Sequence, residues 1–420
     1  MKIIKSIIIV IFFFTLYSAE AQKILIPMDF AQTDHLKSYG VAYWILEKGQ
    51  TVDWLLNYRG GSFMCDYNNL IEAECRVRGV FFENIDGLTA SGIYAQVQSE
   101  DYNMDVVKLE KAPKVGVYAP KSILPWDDAV VLALTYAEIP HDIFWDDEVL
   151  AGTLNDYDWL HLHHEDFTGQ YGKFWASFQN TPWYIQDVQL NESNARKNGF
   201  SKVSKLKLAV VLKIKEFVLN GGFLFTMCSA TDSFDVALAA QNTDICHEVF
   251  DGDPMDPDAQ EKLDFSETFA FENFTLVKDP YTYAISSIDT GPTTLSNPGA
   301  DYFTLFDFSA KWDPVPTMLT QCHVNVIQGF LGQTTAFRKE YIKKSVTIMG
   351  EREGTDEVKY IRGNVGKGTF TFYAGHDPED YQHLVGDPPT DLKLHKNSPG
   401  YRLILNNILF PAAKKKKQKT

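Results

Sequence analysis

Positive charge is in short supply in this 420-residue chain: 39 lysines and arginines stand against 55 aspartates and glutamates, giving a net charge of −16. Nucleic-acid binding needs a basic stripe that displaces counterions from phosphates, and none is present, so no nucleic-acid partner is expected. Long apolar runs are equally scarce. After the first twenty residues no stretch approaches the roughly 20 apolar residues that a bilayer span requires, so no integral membrane segment is expected in the processed chain. Cysteines number only five. In an exported protein an odd count leaves at least one thiol unpaired or bonded to another chain. Cys65 with Cys75 and Cys246 with Cys322 is one pairing that would leave Cys228 free; five reduced thiols is the other reading. The acidic run Asp251–Asp258 (DGDPMDPD) offers Asp251, Asp253 and Asp256 to calcium but lacks the Glu that closes an EF-hand loop, and reads as a solvated loop.

The N-terminus carries an export signature. Lys2 and Lys5 precede the apolar IIIVIFFFTLY, and Ala19-Glu20-Ala21 forms an A-x-A cleavage site before Gln22. Residues 1–21 therefore read as a signal peptide, and the expected location is the periplasm or the extracellular space. The remaining chain is long enough for two or three domains.

Periodicity divides it as follows. Lys23–Asp29, Asp34–Gln50, Thr51–Tyr58 and Asp66–Val77 read as strand, helix, strand, helix, which favours a parallel sheet in an N-terminal α/β unit, residues 22–112. The residues leading to Lys111 read as irregular. A second series begins with the strand Lys114–Ala119, followed by a helix over Pro125–Ala137, strands at HDIFWDD and within LNDYDWLHLHHED, and an aromatic loop from Phe167 to Asn198. Ser201–Leu219 is the clearest helix, with Val203, Leu206, Val210, Ile214 and Phe217 on one face. This core spans 113–241 and resumes at 345–412, where SVTIMGE, EVKYIRG and GKGTFTFYAGHDPED read as strands with a hairpin at Gly366–Gly368. Residues 242–344 lose helical period and read as a β-rich insertion, and 413–420 is a basic tail.

The chemistry converges on Gly221–Asp235, GGFLFTMCSATDSFD. An apolar strand runs into Cys228, flanked by the small residues Thr226 and Ala230, and a helix follows. A nucleophile on such a strand-to-helix elbow is held off the backbone and faces the N–H groups of the following helix. Ligands in open parallel sheets bind outside the carboxyl ends of the strands. The residues leaving those ends are Pro120 and Lys121, Asp146 and Asp147, His164 to Asp166, Cys228, and His376 to Glu379. Thiol, imidazole and carboxylate on one edge are the ingredients of covalent acyl transfer.

Residues 113–240 and 345–385 resemble the class I glutamine amidotransferase-like superfamily, in which an elbow cysteine works with a late H-P-E motif. FYAGHDPE stands where that motif would be, with Asp377 inserted, and Thr226 and Ala230 replace glycines of the elbow. The resemblance implies a flavodoxin-like or amidotransferase-like parallel sheet flanked by helices, and a cysteine hydrolase of an amide or ester with Cys228 as nucleophile, His376 as base and Glu379, or Asp377, as orienter. The whole chain, through ILIPMDFAQTDHLKSYG and TVDWLLNYRGGSFM, also resembles exported bacterial proteins that carry the label asparagine synthetase B. That activity would need a cysteine at the processed N-terminus, where Gln22 stands, and an S-G-G-x-D-S loop for ATP, which the sequence lacks.

Two further readings follow from the residues. A non-catalytic binding or surface-assembly module would hold a small molecule, sugar or peptide at the same crevice, with Trp175 and Trp183 of the loop YGKFWASFQNTPWY and with His164 and Glu165 as contacts. A metal-dependent hydrolase would use His164, Glu165, Asp166 and His376. On a strand, His161 and His163 share one face and His164 the other. Alternation would then split the rings, so no metal and no cofactor are expected.

Overall fold

The computed structural model describes residues 22–122, 124–291, 301–380 and 384–414. The signal segment and residues 415–420 of the basic tail lie outside the described residues. Two sheets organise the mixed α/β fold. The first contains β1 (Lys23–Ile26), β2 (Val52–Leu56), β3 (Ser62–Asp66), β4 (Glu83–Ile85) and β5 (Asp105–Leu109), in the order β4-β1-β3-β2-β5. Every pairing in it is antiparallel, which corrects the parallel expectation. The cause is local. Asn57, Arg59, Gly60 and Gly61 all take positive φ, so the chain reverses directly after β2 and SFMCD returns beside it as β3. Nor are the residues before Lys111 irregular, for they hold β4, the helix Gly87–Gln98 and β5.

The second sheet is built from β6 (Val115–Tyr118), β7 (Asp142–Phe144), β8 (Trp159–Leu162), β9 (Phe223–Met227), β10 (Tyr302–Leu305), β11 (Val326–Gln328), β12 (Phe337–Arg338), β13 (Thr347–Glu351), β14 (Glu357–Val365) and β15 (Gly368–Tyr373). Its order is β11-β10-β13-β14-β15-β9-β8-β6-β7, with β12 on β14. The five strands β7-β6-β8-β9-β15 run parallel, and the others extend the sheet antiparallel. Strands β10, β11 and β12, from the segment read as an insertion, are thus a continuation of this same sheet.

β9 is covered on both faces, as the unbroken apolar FLFTM implies. Phe223, Phe225, Met227 and Cys228 join one core cluster, with the helices His35–Glu47, Ala129–Ala137 and Pro399–Leu409. Leu224 joins the other, with the helix Val203–Leu219, whose expected apolar face is fully internal. Arg402, wholly buried on the helix Pro399–Leu409, ties that helix to the loops after β1 and β2: its guanidinium donates to Met28 O at 3.0 Å and Gly60 O at 2.8 Å. The aromatic loop contains a 16-residue helix, Pro182–Lys197, started by a proline at its first turn. Only four of its residues are buried, two of them asparagines, so its apolar period is faint in sequence.

All five cysteines are free thiols, which removes the pairing of Cys65 with Cys75 and of Cys246 with Cys322. Cys246 instead donates to Thr168 O at 3.1 Å, while Cys322 lies beside His323 and Pro399. Among the described residues no helix is long and apolar enough to cross a membrane.

Candidate functional site

The carboxyl ends of β6, β8, β9 and β15 deliver the groups expected to carry chemistry. Cys228 follows β9 directly and has φ = 55°, a left-handed conformation unusual for a residue with a side chain. The helix Ala230–Ala239 starts two residues later, and Ala230 N donates to His163 O at 2.9 Å. Strand, left-handed cysteine and helix make up the elbow anticipated from the sequence. The thiol is buried, and burial pushes it up to about 12, against the N–H groups of Ser229 and Gln333, which point at it. The resting form is therefore the protonated thiol.

On either side of β9 the neighbouring strands carry histidines. The parallel registers pair Thr226 with Leu162 of β8 and Met227 with Tyr373 of β15. His163 and His164 leave β8 on one side of Cys228, and His376 leaves β15 on the other. The three rings meet across the exit of β9. Ring centroids are 3.8 Å apart for His163 and His164, 4.6 Å for His163 and His376, and 4.1 Å for His164 and His376. One nitrogen from each ring lies within 4.8 Å of the others. Strand alternation does not split His163 from His164, because β8 stops at Leu162 and the backbone beyond it is free to turn both rings the same way.

Two neighbouring acids frame this cluster. The carbonyl of Asp127 lies 3.1 Å from Nε2 of both His164 and His376. Asp128 caps the helix Ala129–Ala137 through Val130 N and Val131 N, and its Oδ1 also lies 3.2 Å from His163 Nδ1 and 3.3 Å from His161 Nε2. Neither contact meets the geometry of a hydrogen bond. Burial would raise the Asp128 carboxyl, but the two imidazoles outweigh it and hold the group well below the usual carboxylate range. In the sequence these acids read only as the start of a helix. The helix in fact begins at Ala129, and the preceding turn lays its acids over the histidines.

The other expected residues fall in different places. Glu379 accepts from His395 Nδ1 at 2.9 Å. Asp377 is buried, taking Tyr401 OH at 2.6 Å and Glu379 N at 2.8 Å. Both acids are thus committed to fixing the turn after His376. Trp175 meets Tyr281 edge-on at 5.5 Å. Trp183 packs against Trp126, Phe174 and Phe178, and with His164, Glu165, Asp187 and Lys207 it lines a small cavity of about 40 Å³ between the exits of β6 and β8. That volume admits a few waters. A wider groove of about 780 Å³ opens at the opposite ends of the strands, beside Asn220, Phe223 and Gly368.

Buried charge lies under the small cavity. Lys207 reaches Asp146 at 3.2 Å and Tyr118 OH at 3.0 Å, and Asn194 donates to Asp146 at 2.9 Å. Burial disfavours the Lys207 charge, but Asp146 and Glu165 overcome this and raise its pKa. Glu165 is pushed up to about 8 by burial, despite Lys207 nearby. Near neutrality it is a carboxylic acid able to donate a proton. The acids of the run from Asp251 are met by lysines: Lys202 lies 2.6 Å from Asp244, 3.1 Å from Asp251 and 2.5 Å from Asp253, and Lys262 is 3.2 Å from Asp256.

No family model matches the chain, and no curated protein matches it. Among solved structures, the chain is similar to a cytoplasmic protein of Salmonella typhimurium, STM3548, at 12% identity over 72% of this chain and 100% of that one, TM-score 0.35. A second cytoplasmic protein of that organism, STM1381, aligns at 13% identity over 71% and 99%, TM-score 0.36. The GH42 beta-galactosidase Gan42B of G. stearothermophilus aligns at 10% identity over 64% of this chain and 28% of that one, TM-score 0.25.

Proposed function

We propose that this chain is an exported hydrolase of an amide or ester, built on a flavodoxin-like, amidotransferase-like parallel sheet, with Cys228 as nucleophile. One observation carries the reading: a non-glycine residue held at φ = 55° between a central parallel strand and a helix, and that residue is a cysteine with histidine-bearing strand exits on both sides. Backbone strain of this kind costs on the order of 1 to 3 kcal/mol and collects at functional sites. In the reaction the Sγ–H proton passes to His376, and the sulfur attacks the carbonyl carbon. The carbonyl pair moves onto oxygen beside the N–H groups of Ser229 and Gln333. Collapse expels the amine or alcohol, which takes the proton back from the imidazole, and water then cleaves the thioester with the same imidazole as base. Because burial keeps the resting thiol protonated, the imidazole is needed to form the nucleophile. A screen of amides and esters against the purified chain tests this: a substrate turned over by the native protein and not by Cys228→Ala supports it, and turnover that survives Cys228→Ala refutes it.

The raised thiol also favours a second reading, a non-catalytic module that binds a small molecule, sugar or peptide in the crevice walled by Trp126 and Trp183. There Cys228→Ala would leave ligand binding and cellular phenotype intact, while Trp183→Ala would abolish both.

A further inference from the structure

We propose that His163, His164 and His376 form a binding site for one divalent transition-metal ion of the zinc class. This goes beyond the hydrolase reading and does not depend on it. The argument begins with proton placement. A backbone carbonyl can only accept, so the contacts of Asp127 O with Nε2 of His164 and His376, each 3.1 Å, put the proton of each neutral ring on Nε2 and the lone pair on Nδ1. Asp128 Oδ1 faces His163 Nδ1 at 3.2 Å, and a small rotation of the ring would let Nδ1 donate to it and leave the lone pair on Nε2. Neither ring nitrogen of His163 has a hydrogen-bond partner among the described residues, in a residue 2% exposed. A polar nitrogen in that position costs free energy unless something binds it.

The arrangement resembles a metal centre in its outer contacts as well. Imidazole ligands are normally held through the second ring nitrogen by a carboxylate or a carbonyl, which fixes the tautomer and aims the lone pair. Here Asp128 serves His163, and the Asp127 carbonyl serves the other two rings. The backbone is fixed too: His163 O accepts from Ala230 N at 2.9 Å, and His376 N donates to Leu331 O at 2.6 Å. Zinc bonds of about 2.0–2.1 Å to nitrogen place tetrahedral ligand atoms roughly 3.4 Å apart. The three rings already offer one nitrogen each within 4.8 Å of one another, and an ion would draw them closer by rotation of the rings. Three neutral nitrogens and no thiolate suit zinc, cobalt, nickel or copper over magnesium and calcium. Three protein ligands also leave a fourth position for water. An ion here would compete with the cysteine chemistry, since a nitrogen of His376 that coordinates metal cannot take the Cys228 proton.

The test uses the full chain, without a polyhistidine tag, stripped with chelator and titrated with Zn²⁺ and separately with Co²⁺. Binding needs no turnover, so its outcome is independent of whether the hydrolase reading stands. One equivalent of Zn²⁺ is expected, with a cobalt visible spectrum of tetrahedral type. His163→Gln and His376→Gln should each weaken binding at least 100-fold, and Asp128→Asn, which removes no ligand, by 10- to 100-fold. His141→Gln, a histidine bonded to Ile139 O elsewhere, should change nothing. Failure of the native chain to bind beyond trace levels, an octahedral cobalt spectrum, or undiminished binding by a folded His376→Gln would each overturn the proposal. Since the cobalt spectrum is read on the native chain, a variant that does not fold leaves the question decided.

Discussion

His163 and His164 are neighbours in sequence, yet their rings stack with centroids 3.8 Å apart and planes 18° from parallel. Within a strand they would point to opposite faces. They converge because β8 ends at Leu162, and that one-residue boundary decides whether the crevice holds a histidine cluster or two unrelated rings.

The elbow at Cys228 has a measurable signature. An L-residue at φ = 55° carries a penalty that glycine does not, of about 1 kcal/mol. Cys228→Gly should therefore unfold in urea with a stability about 1 kcal/mol above that of Cys228→Ala. If alanine proves equal or better, Cys228 is not in the left-handed region.

Asp232, on the helix after the elbow, gives a pH dependence. Burial, then the charge of Asp289, push it up to about 7, against Thr334 Oγ1, which donates to it at 2.7 Å. Asp166 adds to the rise, Ser286 lies 3.4 Å away, and Lys173 is the cation facing it. Asp289 is itself raised by burial although Gly291, Thr334 and Thr335 donate to it. A folded value above the unfolded one means stability that is complete below about pH 4 and is lost as pH rises through about 7, on the order of 4 kcal/mol for this group. Buried histidines such as His35, lowered to about 4 by burial, act in the opposite sense, so the readout is the difference: the melting temperature of Asp232→Asn should rise relative to that of the native chain as pH goes from 4 to 7.5. Superimposable slopes for the two proteins would count against the buried acid pair.

Lys207→Met should cost about 3 kcal/mol or more, because it strands Asp146 beneath the cavity without its cation. Adding Asp146→Asn should recover a substantial part in chemical denaturation. Equal losses in the single and double variants would show that the pair is not coupled.

How far the sequence disclosed this arrangement depends on whether a signal was local. FLFTM reads as a doubly buried strand because every residue in it is apolar or small, and the cysteine after it is flanked by the small Thr226 and Ala230, so the elbow could be inferred. The helix Val203–Leu219 and the β14–β15 hairpin were legible for the same reason: period and turn chemistry agree. The antiparallel N-terminal sheet was not, since its direction is set by the positive φ values at Asn57, Arg59, Gly60 and Gly61, the first of which falls within the stretch Thr51–Tyr58 that reads as a strand. The role of Asp127 and Asp128 was also hidden. An acidic pair before VVLALTYA is satisfied as a helix start, and its second use, against histidines 33 to 249 residues away, appears only when β6, β8 and β15 lie side by side. Glu379 seemed placed to orient His376 by analogy with H-P-E; the inserted Asp377 turns the chain so that Glu379 reaches His395 instead.

Dependence of Cys228 on His376 is the central claim, and alkylation measures it directly. Chelator-treated native chain and His376→Gln are exposed to iodoacetamide at pH 8, and each cysteine is followed by mass spectrometry. Cys322, a residue of intermediate burial whose thiol burial also raises, serves as internal reference, and Cys65 and Cys75, pushed up to about 12 by burial, as the unreactive baseline. The account expects Cys228 to react well above that baseline in the native chain and at least tenfold more slowly in His376→Gln, with Cys322 unchanged. A Cys228 that reacts no faster than Cys65 and Cys75, or at the same rate in both proteins, would contradict it.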